Sequence, residues 1–197
     1  MKVLRTEYLV KTGKFIDTPV CKSIFSTIEK AIDSIKWPEG SDIFTIYPGK
    51  NANGVKPIKK QCVSYLKEKN WELEKKMSLG SRLAPGPVDA VLSVEGYGDF
   101  AFEWETGNIS SSHRALNKMA LGLITGVLIG GILVVPSRSL YFHLTDRIGN
   151  FSELEPYFPI WKSLPVKGVL AVIEVEHDNI SESVPQINKG TDGRALI

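Results

Sequence analysis

The residues with chemical potential in this sequence are a small set of carboxylates at a telling spacing. Asp89 follows Pro87-Val88, and after thirteen intervening residues come Glu103-Trp104-Glu105. Carboxylates brought close together repel, and a divalent cation is the usual remedy. Oxygen ligands with neither His nor Cys among them suit a hard ion, Mg²⁺ first and Mn²⁺ as its substitute. The same charges would equally serve on an outer strand face, where they discourage edge-to-edge pairing.

Whether the carboxylates meet depends on the elements that carry them. Pro87-Val-Asp-Ala-Val-Leu-Ser-Val94 is apolar and β-prone, Glu95-Gly-Tyr-Gly-Asp99 supplies turn residues, and Phe100-Ala-Phe-Glu-Trp-Glu105 alternates as a strand does. The pattern predicts an antiparallel hairpin with a five-residue turn. Phe100, Phe102 and Trp104 then share one face, and Ala101, Glu103 and Glu105 the other. With Asp89 on the partner strand, three carboxylates converge near one end. Many metal-dependent nucleases present their ligands as Asp, hairpin, Glu-x-(Glu or Lys).

The remaining chain supplies a scaffold. Thr18-Pro19 reads as an N-cap with proline at the first helical position, and Val20, Ile24, Ile28, Ala31, Ile32 and Ile35 recur at helical spacing up to Trp37-Pro38. Asp42–Tyr47 is short and β-prone. A second helix is expected from about Pro57, burying Ile58, Cys62 and Leu66. Glu74 falls among charges before a loop at 78–86, and taken alone it is a surface glutamate. Ser110 to Ser112 are read as caps of a helix with Leu116, Met119, Ala120, Leu123 and Val127 on one face. No charge occurs from Met119 to Ser137, yet four glycines, a threonine and Pro136 argue against a membrane span. The preferred parse is helix, a break at Gly130-Gly131, then a buried strand Ile132–Val135. The helix's surplus apolar surface would suit a subunit interface. Ser137 and Asn150 are read as caps of two further helices, with Pro156 and Pro159 keeping the later helical pieces short. Lys167–Val175 is read as a central strand, and 178–197 as an extended polar tail. The expectation is one α/β domain over 1–197, with a central mixed β-sheet flanked by helices.

Composition narrows the class. At 197 residues, with 43% hydrophobic and 23% charged residues, the chain can bury a sizeable core. A net charge of +2 does not by itself announce a nucleic-acid binder. Basic residues do cluster at Lys56, Lys59, Lys60, Lys67, Lys69, Lys75 and Lys76, but Glu68, Glu72 and Glu74 are interleaved, as on a solvated helix surface. Two distant cysteines, Cys21 and Cys62, point to reduced thiols rather than a zinc site. His113, His143 and His177 have no metal-ligand spacing, and the N-terminus has no signal-peptide core. A cytoplasmic protein is expected.

One stretch makes the reading specific. Phe102-Glu-Trp-Glu-Thr-Gly-Asn-Ile-Ser-Ser-Ser-His-Arg114, with Asn117-Lys118 and Leu121-Gly-Leu123, resembles the BamHI-type type II restriction endonucleases. Leu144-Thr-Asp-Arg147, Asn150-Phe151 and Glu153-Leu-Glu-Pro-Tyr-Phe158 match as well. So do Asn53-Gly-Val55, Pro57-Ile-Lys59, Asn70-Trp71, Lys189-Gly190 and Asp192-Gly193, in the same order. The resemblance runs from about residue 37 nearly to the end. It implies a restriction-endonuclease-like fold and Mg²⁺-dependent double-strand cleavage of palindromic DNA, GGATCC, cut as G/GATCC. Asp89 and Glu103 would ligate metal, Glu74 would join them, Glu105 would act as general base, and Lys59 would lie near the scissile phosphate. Phosphodiester hydrolysis needs an activated water, in-line attack and neutralised phosphate charge, which two metals supply together.

Recognition is implied by the same matches. Asn108 and Ser110 would reach base edges from a helix N-terminus; Asp146 would accept from cytosine and Arg147 would grip guanine. Asp192 and Gly193 would add contacts from the tail, and Arg194 an attraction to phosphate. Without the resemblance, Asn108 and Ser110 read as helix caps and Asp146-Arg147 as a surface ion pair. The resemblance also implies a homodimer through the helix starting near Ser112, double-stranded DNA as partner, and no membrane. The sequence departs from the family member at Ile124-Thr125, Pro159 and Lys162, where charged interface partners are replaced. It also ends at Ile197, short of the relative's terminal segment, so weaker discrimination against near-cognate sites is expected. The alternative reading is a degenerate relative of the same fold that binds DNA without cutting it.

Overall fold

The computed structural model describes residues 1–78, 86–145 and 147–189. A six-stranded mixed sheet runs through it in the order β1-β7-β6-β5-β4-β3. The strands are β1 (Lys2–Thr12), β3 (Glu72–Lys76), β4 (Pro87–Val94), β5 (Gly98–Trp104), β6 (Leu128–Pro136) and β7 (Gly168–Glu176). β5, β6 and β7 are parallel to one another, whereas β4–β5, β3–β4 and β1–β7 are antiparallel pairs. Two short strands, β2 (Thr45–Ile46) and β8 (Asn179–Ile180), form a separate parallel pair.

Helices cover both faces. α1 (Pro19–Asp33) and α2 (Lys56–Glu68) bury Ile24, Ile28, Ile32, Ile58, Cys62 and Leu66 in one core, which also takes Phe100, Phe102 and Trp104 from β5. α3 (Ile109–Ile124), α5 (Phe151–Leu154) and α6 (Phe158–Lys162) cover the opposite face, where Leu116, Met119 and Leu123 pack with Ala101, Leu133 and Val172. Period-2 alternation along β5 therefore sends its aromatics to one core and directs Glu103 toward α3, as the sequence pattern requires. All nine residues of β7 are buried, consistent with a strand covered on both faces. Helix starts follow local chemistry: the side chains of Thr18, Ser137 and Asn150 accept from the amides of Cys21, Leu140 and Glu153, opening α1, α4 (Arg138–His143) and α5. Cys21 and Cys62 are free and buried.

Several expectations are corrected. Asn108, not the serine run, caps α3, and Ser112 lies inside the helix, fully buried. Gly130 and Gly131 sit within β6 rather than breaking the chain before it. A Cβ at Gly130 would lie 2.3 Å from the Phe100 ring, and one at Gly131 2.5 Å from Met119 Sδ, so the missing side chains let both core faces close on the strand. The break is at Gly126, whose φ of +71° is cheap for glycine. Val127 therefore falls in the turn, and Leu123 is buried in the chain's own core rather than offered to a subunit. The hairpin turn spans three residues, because Gly98 and Asp99 already belong to β5. Lys2–Thr12, given no element above, form the longest strand among the described residues. Bulges between Val3 and Arg5 and between Tyr8 and Val10 interrupt its alternation and hide the period. Among the described residues no helix is long and apolar enough to cross a membrane.

Candidate functional site

The hairpin ladder ends at the pair Ala90–Phe102, and one step beyond it Asp89 and Glu103 come together. Asp89 Oδ2 accepts from the Trp104 amide at 2.8 Å, and the Asp89 amide donates to Glu103 Oε2 at 3.4 Å. Each carboxylate meets an ammonium: Lys59, from the first turn of α2, pairs with Asp89, and Lys118 of α3 with Glu103. Lys118 Nζ also donates to the Pro87 carbonyl at 2.9 Å. Burial weakens the acidity of Glu103 first, and the Asp89 charge adds to this, while the Lys118 ammonium opposes both.

Glu105 follows β5, anchored by its amide to Val134 O at 3.0 Å. Its carboxylate is 4% exposed and accepts from the Ser112 hydroxyl and from the Gly107 amide at 2.5 Å. Burial pushes its pKa up to about 7, although the donors from Ser112, Gly107 and Thr106 pull the other way. A buried carboxyl poised near neutrality is suited to accept a proton.

Glu74 is not drawn into this group. It lies on β3, between the ladder pairs Leu73–Ala90 and Lys75–Val88, at the level of Asp89. A φ of +52° and a 63% exposed side chain turn it outward, with Lys59 Nζ 3.9 Å away. Among the described residues no three His, Cys, Asp or Glu side chains gather closely enough to enclose a metal. The donors in place are the oxygen pair of Asp89 and Glu103, with Glu74 as the next carboxylate at the rim. These groups line a cleft of about 520 Å³ that also meets Lys56, Arg114, Ser111 and Thr106.

Of the residues expected to touch bases, Asn108, Ser110 and Arg147 are among the described residues. Asn108 and Ser110 are exposed at the start of α3. Asn108 Oδ1 accepts from the Ser111 amide at 3.2 Å, so Asn108 does cap the helix, through its carbonyl oxygen rather than its amide NH₂. Arg147 is exposed with φ +72°, a conformation that non-glycine residues rarely take. Its segment is tied at one end by the Thr145 amide to Asn53 O, 2.7 Å, and at the other by the Gly149 amide to Gly107 O, 2.9 Å. Asn53, fully buried, donates to Tyr47 O and His143 O and accepts from the Ile187 amide, which fastens the start of the tail to the same point. Asp146, Asp192, Gly193 and Arg194 lie outside the described residues.

Sequence reasoning missed two members of the site, Lys118 and Ser112. For Lys118 the available signal is a stripe on α3, Ser111, Ala115, Lys118 and Gly122, in which small residues at i, i+4 and i+11 surround a lysine at i+7. A cation among small residues on an inward stripe calls for a buried anion.

The chain is similar to known proteins over nearly all of its length. The family model of restriction endonuclease BamHI matches residues 1–194. The chain is 49% identical over 197 residues to the type II restriction enzyme OkrAI of Oceanobacter kriegii, covering all of both chains. It is 37% identical over 176 residues to the type II restriction enzyme BamHI of Bacillus amyloliquefaciens, covering 86% of this chain and 81% of that one. A crystal structure of the restriction endonuclease BglII complexed with a DNA 16-mer has the same fold, with a TM-score of 0.64 at 12% identity, covering 90% of this chain and 79% of that one. Full-length coverage by the family model and by a relative at 49% identity shows that the chain belongs to the BamHI family of type II restriction endonucleases.

Proposed function

We propose that this enzyme is a Mg²⁺-dependent endonuclease that cuts both strands of palindromic GGATCC after the first guanine, acting as a homodimer with one nuclease domain per chain. The observation that carries the reading is the meeting of Asp89, Glu103 and Glu105 in one cleft rimmed by cationic side chains. The residues fit a hard divalent ion: Asp89 and Glu103 would hold it, with Glu74 as the further carboxylate, and Mn²⁺ would substitute. Such an ion supplies charge that acidifies water and offsets the charge growing on phosphate. Glu105 takes the proton from the attacking water, and Lys59 contributes positive charge beside the scissile phosphate.

Recognition in this reading falls to polar groups at the start of α3, beside Arg147 and in the tail. Asn108 and Ser110 read base edges from the α3 N-terminus, Arg147 takes guanine, Asp146 takes the cytosine amino group, and Asp192, Gly193 and Arg194 contribute from the tail. A two-fold dimer suits a palindrome, because each subunit reads a half-site and cuts one strand. α3 is the dimer helix in this reading, through its exposed Ile124 rather than its buried Leu123. The setting is the prokaryotic cytoplasm. The direct test is digestion of a plasmid bearing a single GGATCC, in Mg²⁺ and in EDTA. A single linear product with cohesive 5′ ends is expected only in Mg²⁺. An uncut plasmid in Mg²⁺, or equal cutting in EDTA, contradicts the reading.

A further inference from the structure

Ser112 and Gly149 have no role in the reading above, yet together they bear on two of the donors that hold the Glu105 carboxylate. Ser112 is fully buried and spends its hydroxyl on Glu105 Oε2. The second donor to Glu105, the Gly107 amide, belongs to a residue whose carbonyl accepts from the Gly149 amide at 2.9 Å. Gly149 also presses its bare Cα against Ser112: a Cβ there would lie 2.2 Å from Ser112 Oγ, a distance that no real contact tolerates. One residue thus abuts two of these donors, sterically on the hydroxyl side and by hydrogen bond on the amide side.

Gly149 stands two residues after Arg147, whose left-handed backbone persists only where its surroundings hold it. Ile148, Gly149 and Asn150 are all buried, so Arg147 and Gly149 cannot shift independently by much. A change in how the Arg147 segment seats is therefore delivered to Gly107 and Ser112, and through them to the carboxylate. We infer that Ser112 and Gly149 are positioning residues that couple the seating of the Arg147 segment to the orientation of Glu105. The inference rests on Glu105 being the proton acceptor. Ser112 itself touches neither base nor phosphate in this scheme; it acts through Glu105.

The test is a double-mutant cycle with Ser112→Ala, Gly149→Ala and both together, alongside Glu105→Ala. Single-turnover cleavage of a GGATCC duplex in Mg²⁺ is measured next to binding of that duplex in Ca²⁺ and the melting temperature. Each single variant should cleave about 10–100-fold more slowly, the range for lost orienting partners in an active site, and Ser112→Ala should still bind within about twofold of wild type, whereas Gly149→Ala should also bind more weakly because Arg147 shifts with it. The pair should lose less than the product of the two single losses, because without the serine oxygen the new methyl meets only the Ile109 backbone, 3.1 Å away. Independent, multiplying losses in the pair overturn the coupling, as does a wild-type rate for Ser112→Ala while Glu105→Ala is inactive. If Gly149→Ala folds poorly by melting temperature, the Ser112→Ala rate and binding alone decide. Wild-type cleavage by Glu105→Ala refutes the reading of Glu105 itself, a different failure from either of these.

Discussion

Glu105 differs from Asp89 and Glu103 in what faces it. Those two meet ammonium groups, whereas Glu105 meets a hydroxyl and backbone amides, which soften the cost of its burial without cancelling it. Its pKa therefore stands near 7 in the folded protein against an ordinary 4.5. A carboxyl raised in this way binds more protons folded than unfolded between those values, so its contribution to stability falls as pH rises from 4.5 to about 7. The full swing is roughly 3 kcal/mol. In metal-free buffer, Glu105→Gln keeps the shape and removes the titration. Its stability relative to wild type should be near zero at low pH and grow toward that figure by pH 8, measured by urea unfolding in EDTA. A difference that stays flat with pH would show that Glu105 is not held in this environment.

The elements show why parts of this fold were legible in the sequence and others were not. Caps at Thr18, Ser137 and Asn150 were readable because each is decided within four residues, and the β4–β5 hairpin because its alternation is uninterrupted. β3 was not readable: five residues with four charges look like surface, and only pairing with β4 makes them a strand. Gly130-Gly131 looked like a break because the reasons for two glycines, Phe100 and Met119, come from other elements. The carboxylates could be named from spacing, but the pairing of Glu103 with Lys118 and of Glu105 with Ser112 exists only once α3 packs on the sheet. Two predictions belong at this scale. Gly131→Val should destabilise the protein by about 1–3 kcal/mol through overpacking against Met119, read as a lower denaturant midpoint; an unchanged midpoint would mean that the helix yields freely. Asn53→Ala strands the Tyr47 carbonyl and the Ile187 amide, while the His143 carbonyl keeps the Asn53 backbone amide, and each buried orphan costs about 1–3 kcal/mol. Chemical unfolding should show a loss of several kcal/mol, and faster proteolysis near residue 187 should accompany it.

At the scale of the whole molecule, α3 has three duties: its N-terminus faces the cleft, its inner stripe holds Glu103 and Glu105, and its far end leaves Ile124 57% exposed. If that end meets a second copy, Ile124→Asp should leave the melting temperature of the subunit nearly unchanged and shift light scattering at micromolar concentration from dimer toward monomer. Leu123→Asp should instead unfold the subunit, since an unpaired charge in its core costs several kcal/mol. A monomeric wild type would remove the preformed dimer from the account. The central claim is that a buried carboxylate cluster, with Glu105 as proton acceptor, hydrolyses DNA. It is tested most directly by Glu105→Ala, with cleavage of a GGATCC duplex followed in Mg²⁺ and binding of the same duplex followed in Ca²⁺. The account predicts binding close to wild type and cleavage slower by about 10²–10⁴-fold, the usual worth of a positioned proton acceptor; cleavage within a few-fold of wild type would contradict it.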